Sequence, residues 1–425
     1  MINSHMLSFG KERSAIRELF EKGKELKQKY GAENVYDFSL GNPSILPPGQ
    51  LSETIKNLFF VSKIIDAKGK EGVDVEIDSP NLDYPYRKLS TNDLHGYTSA
   101  QGDEKVRKAI ADYLNEKYSA SLDKNLVYMT CGAAAGLVIA LKALISNPED
   151  EVIVFAPYFP EYKVFIENAG GCCVPCIPNF NNFYPDLIDL EEIINKNTRA
   201  LIINSPNNPT GVVLDDKILT SISKILDKKQ KEFGHSIYII SDEPYRELIY
   251  NENKPFTFLT KFYNNCIINY SFSKVISVPG ERIGYVAVNP KADDASDIYC
   301  AICGAGRASG YVCAPSLFQF VIPHIINQNS DFSIYKNNVK YLYEELSNIG
   351  YECIYPDGAF YLFVKALCPD DKEFSKKALD YNLLLVPSTS FGVSGYFRIA
   401  YCVKEEVIKN SIPKFKELYE FYKNK

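Results

Sequence analysis

The sequence contains no tryptophan, no apolar stretch longer than a strand and no run of basic residues. A bilayer needs about 20 consecutive apolar residues, so a membrane-spanning helix is excluded. With a net charge of −6 and both signs interspersed, the chain lacks the basic stripe of a nucleic-acid surface. No apolar segment follows the polar N-terminus, and no secretory signal is read there. Met6 is taken as a candidate native start, with residues 1–5 left out of the fold reasoning. Disulfides are not expected either. The 11 cysteines are odd in number in a long chain, which suits reduced thiols in a cytoplasmic protein. Two Cys-x-x-Cys pairs, Cys173/Cys176 and Cys300/Cys303, lie too far apart in sequence for a zinc ribbon and read as packed thiols.

What is present is an ordinary globular composition, 46% apolar and 24% charged, over 425 residues, a length that asks for at least two lobes. A helix is expected over Arg13–Lys29, where Ile16, Leu19, Phe20, Gly23 and Leu26 recur at helical spacing. A second starts at Asp103 and carries Val106, Ile110, Tyr113 and Leu114 as a stripe. Between them, an extended Val35–Leu40 meets a Gly41-Asn42-Pro43 turn. Residues 62–94 form a charged, Gly- and Pro-interrupted excursion, read as a lid or a loop. Apolar runs at Val127–Thr130, Val152–Phe155, Ala200–Asn204, Ile237–Ser241 and Ile267–Tyr270 then alternate with helix-length segments. Such runs predict an α/β fold, with a mainly parallel sheet covered on both faces. From about residue 306, helical patterns over 335–348 and 404–422 flank short strands at Tyr361–Val364 and Phe397–Ala400. They read as a second, smaller lobe that the first fifty residues join.

Ligands of open parallel sheets sit beyond the carboxyl ends of the strands. Ala200–Asn204 leads into Ser205-Pro206-Asn207-Asn208-Pro209-Thr210-Gly211, and Ile237–Ser241 into Asp242-Glu243-Pro244-Tyr245. Ile267–Tyr270 leads into Ser271-Phe272-Ser273-Lys274, with Pro279-Gly280-Glu281-Arg282 close behind. Each has a plain reading alone: a turn, a helix cap for Asp242, a solvated surface lysine. Together they carry chemistry. A lysine beside hydroxyls suits Schiff-base formation, a carboxylate can keep a heteroaromatic nitrogen protonated, and an arginine can clamp a phosphate. That is the inventory of a pyridoxal phosphate site.

These segments resemble the fold-type I pyridoxal-phosphate aminotransferases, the class I/II family that includes aspartate aminotransferase. The resemblance runs from Phe38-Ser39-Leu40-Gly41-Asn42-Pro43 to Tyr396-Phe397-Arg398-Ile399-Ala400. It implies a large domain with a mainly parallel seven-stranded sheet between helices, a smaller α+β domain from both termini, and a homodimer with shared active sites. The expected division is 1–60 for an N-terminal arm and part of the small domain, 61–305 for the cofactor domain and 306–425 for the rest.

The resemblance also implies roles. Lys274 would form the internal aldimine, Asp242 would pair with the pyridinium nitrogen, and Asn208 and Tyr245 would hydrogen-bond the phenolic oxygen. Ser271, Ser273, Arg282 and the Gly132-Ala133-Ala134 turn would hold the phosphate, which Tyr97 would reach across to in the partner subunit. Phe159 would stack on the ring, in a slot that is often Trp in aspartate aminotransferases and cannot be Trp here. Arg398 would grip the substrate α-carboxylate, with Gly41 lining the same pocket. Arg307 lies near where aspartate aminotransferases place a second cation, with a packing or inter-subunit role as its plain alternative; His95 and Tyr158 are further lining candidates.

The implied activity moves an amino group between an L-amino acid, aspartate among the candidates, and a 2-oxo acid such as 2-oxoglutarate. Lys274, Asp242 and Tyr245 are its expected catalytic residues, pyridoxal 5'-phosphate its cofactor, and no metal is called for. A carbon–sulfur lyase or synthase of the same fold would share every cofactor residue and stands as the alternative. Gly304-Ala305-Gly306-Arg307-Ala308-Ser309-Gly310 superficially suggests a dinucleotide fingerprint, but no strand precedes it, and helix packing is the reading taken.

Overall fold

The computed structural model describes residues 2–11, 14–68 and 89–424. Its central sheet has seven strands: β1 (Val127–Thr130), β2 (Glu151–Phe155), β3 (Cys172–Cys176), β4 (Thr198–Asn204), β5 (Tyr238–Asp242), β6 (Cys266–Ser271) and β7 (Gly284–Val288). They lie in the order β1-β7-β6-β5-β4-β2-β3, with β2 to β6 parallel and β7 antiparallel to both β1 and β6.

Successive side chains of a strand point to opposite faces, and here both faces are buried. Val127, Met129, Ile153, Leu201, Ile203, Ile239 and Ile268 enter one core. Their neighbours Tyr128, Val152, Val154, Ile202, Ile240 and Ile267 enter a second core on the other face. That explains the continuous apolar runs. The strands β3 and β7 are not among the sequence expectations: β3 is rich in cysteine with a proline inside it, and β7 follows β6 with no helix between them.

A third core surrounds a three-stranded antiparallel sheet of β8 (Tyr361–Lys365), β9 (Val386–Pro387) and β10 (Tyr396–Ala400), with β10 in the middle. Tyr36–Asp37 pairs in parallel with Leu383–Leu384, which ties the N-terminal segment to this sheet. The helices Ser333–Ile349 and Glu405–Lys423 pack on it through Val339, Leu342, Leu346, Ile408, Phe415 and Leu418.

Two expectations change in detail. A helix Ser4–Lys11 comes first, the helix expected over Arg13–Lys29 is Ala15–Tyr30, and Arg13 lies outside the described residues. Residues 62–68 are not part of a loop but the end of a helix, Gly49–Lys68, and Thr91–His95 forms a short helix closed by a capping box between Ser90 and Asp93. The remainder of that excursion, 69–88, lies outside the described residues. Leu51, Leu58, Phe318, Phe320, Val321 and Ile322 belong to the same core as Val127 and Leu201. The Gly304–Gly310 segment lies mostly within the helix Ala295–Ser309, where a Cβ on Gly306 would stand 2.4 Å from the Tyr128 hydroxyl, so packing explains that glycine.

Candidate active site

Parallel register sets the centre of the site. Asn204 at the end of β4 pairs with Asp242 at the end of β5, which pairs with Asn269 near the end of β6. The Asp242 carboxylate receives two side-chain bonds, from the Tyr162 hydroxyl to Oδ2 at 2.6 Å and from Asn269 Nδ2 to Oδ1 at 2.8 Å. Asn204 Nδ2 donates to the Asp242 carbonyl at 2.8 Å. Burial pushes the Asp242 carboxyl up to about 6, and the bonds from Tyr162 and Asn269 pull against that.

A cavity of about 550 Å³ opens over these strand ends. Of the residues expected in the site, Gly41, Ala133, Ala134, Phe159, Asn208, Asp242, Tyr245, Ser271, Ser273, Lys274, Arg282 and Arg398 line it. Lys274 follows β6, and its Nζ donates to the Gly41 carbonyl at 2.5 Å. Desolvation pushes its amine down to about 8, and Arg282 and Arg398 act in the same direction. Arg398 on β10 is buried, donating from Nη1 to Asn208 Oδ1 at 2.9 Å and from Nη2 to the Ser39 carbonyl at 2.5 Å. Its Nε has no partner among the described residues. The Tyr245 and Tyr361 hydroxyls stand 2.9 Å apart, and burial holds the Tyr245 phenol well above its ordinary value.

On the other side, the helix Ala133–Leu144 starts at Gly132 with no side-chain cap and no acid in its first turn, so its first N–H groups lack a capping side chain. Gly132 has φ +85, and a Cβ there would stand 2.7 Å from Arg282 Nη2. Arg282 itself has φ +53, a left-handed conformation rare for a residue with a side chain. The Ser271 and Ser273 hydroxyls lie 2.7 Å apart beside this group. Uncapped amides, a guanidinium and two hydroxyls suit a phosphate. Asp242 has no cationic side chain bonded to it among the described residues, which is what a protonated ring nitrogen would supply. Pyridoxal phosphate therefore fits the donors and acceptors present.

Three expected lining residues stand elsewhere. Arg307 is exposed in the last turn of Ala295–Ser309 and does not line the cavity. His95 is exposed and packs against the Phe59 ring at 5.4 Å. Tyr158 lines a small adjoining pocket instead. Tyr97 is 98% exposed and is not part of this cavity.

Other residues escaped the sequence reading. Tyr162, Asn204 and Tyr361 line the cavity, as do Ser14, which precedes the helix Ala15–Tyr30, and Ile16 and Arg17 in its first turn. Tyr162 lies three residues beyond Phe159, and the aromatic spacing was the one local signal for it. Behind the Asp242–Tyr245 turn, Arg246 Nε bonds Glu243 Oε2 at 2.8 Å, with both side chains 1% exposed. Arg246 Nη2 also donates to the Tyr285 hydroxyl at 2.9 Å.

All 11 cysteines are free thiols. Among the described residues no cluster of three potential metal ligands exists, and no helix is long and apolar enough to cross a membrane.

Residues 70–415 match the family described as aminotransferase class I and II. The chain is 32% identical to an aspartate aminotransferase of Sulfurisphaera tokodaii, over 76% of this chain and 82% of that one. It is 29% identical to a probable aspartate aminotransferase of Methanocaldococcus jannaschii, over 87% of this chain and 100% of that one. Among solved structures, an amino transferase from Eubacterium rectale superposes with a TM-score of 0.90 at 47% identity, covering 99% of both chains. Aspartate aminotransferase from Thermus thermophilus superposes with a TM-score of 0.81 at 22% identity, covering 98% of this chain and 99% of that one, a likeness of fold alone.

Proposed function

As a member of the aminotransferase class I and II family, and so a pyridoxal-phosphate-dependent transaminase, this protein, we propose, moves an amino group between an L-amino acid and a 2-oxo acid such as 2-oxoglutarate. Aspartate is the donor that the names of its relatives suggest. The observation that carries the reading is Lys274: a lysine with its amine pushed down to about 8, in one cavity with a buried carboxylate and a buried arginine.

Bound there, the cofactor supplies an electron sink for the pair left when the substrate loses its α-proton. The chain's residues do the rest. Lys274 Nζ is partly neutral near pH 7 and takes the α-proton, a positioned transfer contributing roughly 10²–10⁴-fold. Asp242 is anionic above about 6 and would hold a proton on the ring nitrogen. Asn208, its Oδ1 already occupied by Arg398, keeps Nδ2 for the phenolic oxygen, with Tyr245 beside it. Gly132, Ala133, Ala134, Ser271, Ser273 and Arg282 would bind the phosphate, and Phe159 would cover one ring face. Arg398 would take the α-carboxylate through N–H groups left free on its fork, with Gly41 opposite.

The protein would act as a cytoplasmic homodimer, and the outward position of Tyr97 supports a reach into a second copy. Its division into an arm at 1–60, a cofactor domain at 61–305 and a small domain at 306–425 belongs to the same proposal.

The test is a half-reaction. An amino acid alone should convert the bound cofactor to its amine form, and a 2-oxo acid should return it. Release of ammonia or a thiol, with no return by 2-oxo acid, would mark elimination instead.

A further inference from the structure

Tyr361 is 2% exposed, lines the cavity and has no part in the chemistry above. It is the first residue of β8. Arg398 on β10 pairs with Phe363, so Tyr361 lies diagonally beside Arg398 on the same face of the sheet. The guanidinium stands 4.5 Å from the centroid of the Tyr361 ring, a cation–π contact away from water. The turn before β8 is firmly held. The Gly358 N–H donates to the Gly211 carbonyl and the Ala359 N–H to the Leu248 carbonyl, both at 2.8 Å, and Ala359 takes φ +57. A left-handed alanine is strained and persists only where its surroundings dictate it. Opposite, Gly41 leaves the space in which the Tyr361 hydroxyl sits, since a Cβ there would overlap it.

Among the described residues the Tyr361 hydroxyl has one hydrogen-bond partner, the Tyr245 hydroxyl at 2.9 Å. Each hydroxyl carries one proton, so the pair has two arrangements. If Tyr245 donates to Tyr361, it has no proton left for the cavity. If Tyr361 donates to Tyr245, the Tyr245 proton is free, and accepting a bond polarises Tyr245 into a better donor. The surroundings favour the second arrangement. Burial raises both phenols, Tyr361 only to about 12, and Arg398 draws Tyr361 down while the buried Cys402 thiol pushes it up. The bond between them lowers Tyr361 and raises Tyr245. Tyr361 is thus the more acidic hydroxyl and the better donor.

We propose that Tyr361 is a positioning residue, which donates its hydroxyl proton to Tyr245 and so directs the Tyr245 proton to the phenolic oxygen of the cofactor. This rests on the role of Tyr245 proposed above and adds the group that sets its polarity.

The test is a pH titration of the visible absorbance of the holoenzyme, for wild type, Tyr361→Phe, Tyr245→Phe and the double variant. That absorbance follows the proton held between the cofactor's phenolic oxygen and the Lys274 nitrogen. A bond donated to the oxygen withdraws charge and loosens the proton. Tyr361→Phe should therefore raise the midpoint by about 0.5–1 pH unit, three- to tenfold in proton affinity. In the Tyr245→Phe background the same change should raise it by less than about 0.3. A ring-fluorinated tyrosine at position 361 keeps the shape with a more acidic phenol, and should lower the midpoint. An unmoved midpoint in Tyr361→Phe, or an equal shift in both backgrounds, overturns the inference. Should Tyr361→Phe fail to hold the cofactor, the fluorinated protein decides, and a midpoint that does not fall overturns it. A Tyr245→Phe variant that titrates as wild type does removes the underlying role of Tyr245 instead, and this inference with it.

Discussion

The hydroxyl of Tyr162 stands 2.6 Å from Oδ2 of Asp242, both groups buried beneath the catalytic cavity. This bond and the one from Asn269 favour the charged carboxylate against the cost of burial. Tyr162→Phe should therefore move the Asp242 carboxyl further above about 6 and weaken cofactor binding near pH 7 by roughly tenfold, the worth of a hydrogen bond to a charged group. Titrating the apoenzyme with pyridoxal phosphate between about pH 6 and 8 checks this, the acid limb of binding shifting to higher pH in the variant. An unshifted limb would mean that Tyr162 only packs.

The same carboxyl makes apoenzyme stability depend on pH. Its folded value, about 6, lies above the ordinary 3.8, so between these values the native state holds more protons than the unfolded chain. Stability from this group is greatest at the acid end and is lost as pH rises through that window, by roughly 2–3 kcal/mol. The difference in urea unfolding free energy between wild-type and Asp242→Asn apoenzyme should shrink or change sign accordingly from about pH 4 to 7. A pH-independent difference would contradict the assigned burial cost.

Lys274→Ala should abolish turnover, by at least the roughly 10²–10⁴-fold of a positioned proton transfer. After borohydride treatment the wild type should retain cofactor covalently and the variant none, as read by mass spectrometry. A variant with full transaminase activity would overturn the site.

Gly132 is expected to be intolerant for two reasons at once, its φ of +85 and the 2.7 Å that a Cβ would leave to Arg282 Nη2. Gly132→Ala should displace the guanidinium and raise the dissociation constant for pyridoxal phosphate by about tenfold or more, while affinity for pyridoxal without its phosphate changes little. Comparing the two ligands separates a lost phosphate contact from general damage.

Behind the site, Arg246 and Glu243 form an ion pair with each side chain 1% exposed. Arg246→Met would strand a buried carboxylate and should cost about 3–5 kcal/mol in denaturant unfolding. Adding Glu243→Gln should restore part of that loss. If the single variant costs no more than the double one, the pair does not act as a pair.

Much of this was legible locally. The apolar runs marked β1, β2, β4, β5 and β6 because a strand buried on both faces must be apolar throughout. The polar residues at their ends marked the cavity because parallel strands deliver their carboxyl ends to one edge. The cysteine-containing β3 and the short return of β7 carried no such pattern. Arg307 was a candidate by position in sequence alone, and the turn of its helix leaves it exposed.

The chain by itself determined the α/β alternation, the helix periods and the identity of Lys274, Asp242 and Arg282, since spacing and strand-end chemistry are local properties, while Arg398 was implied by the family resemblance. Only the tertiary structure decided which groups act on them. Tyr162 meets Asp242 across 80 residues, and Arg398 meets Ser39 across 359. Arg17 reaches the cavity because its helix docks on a core built by later segments. Burial then moves Asp242 to about 6 and Lys274 to about 8, shifts set by removal from water, which no spacing of residues along the chain records.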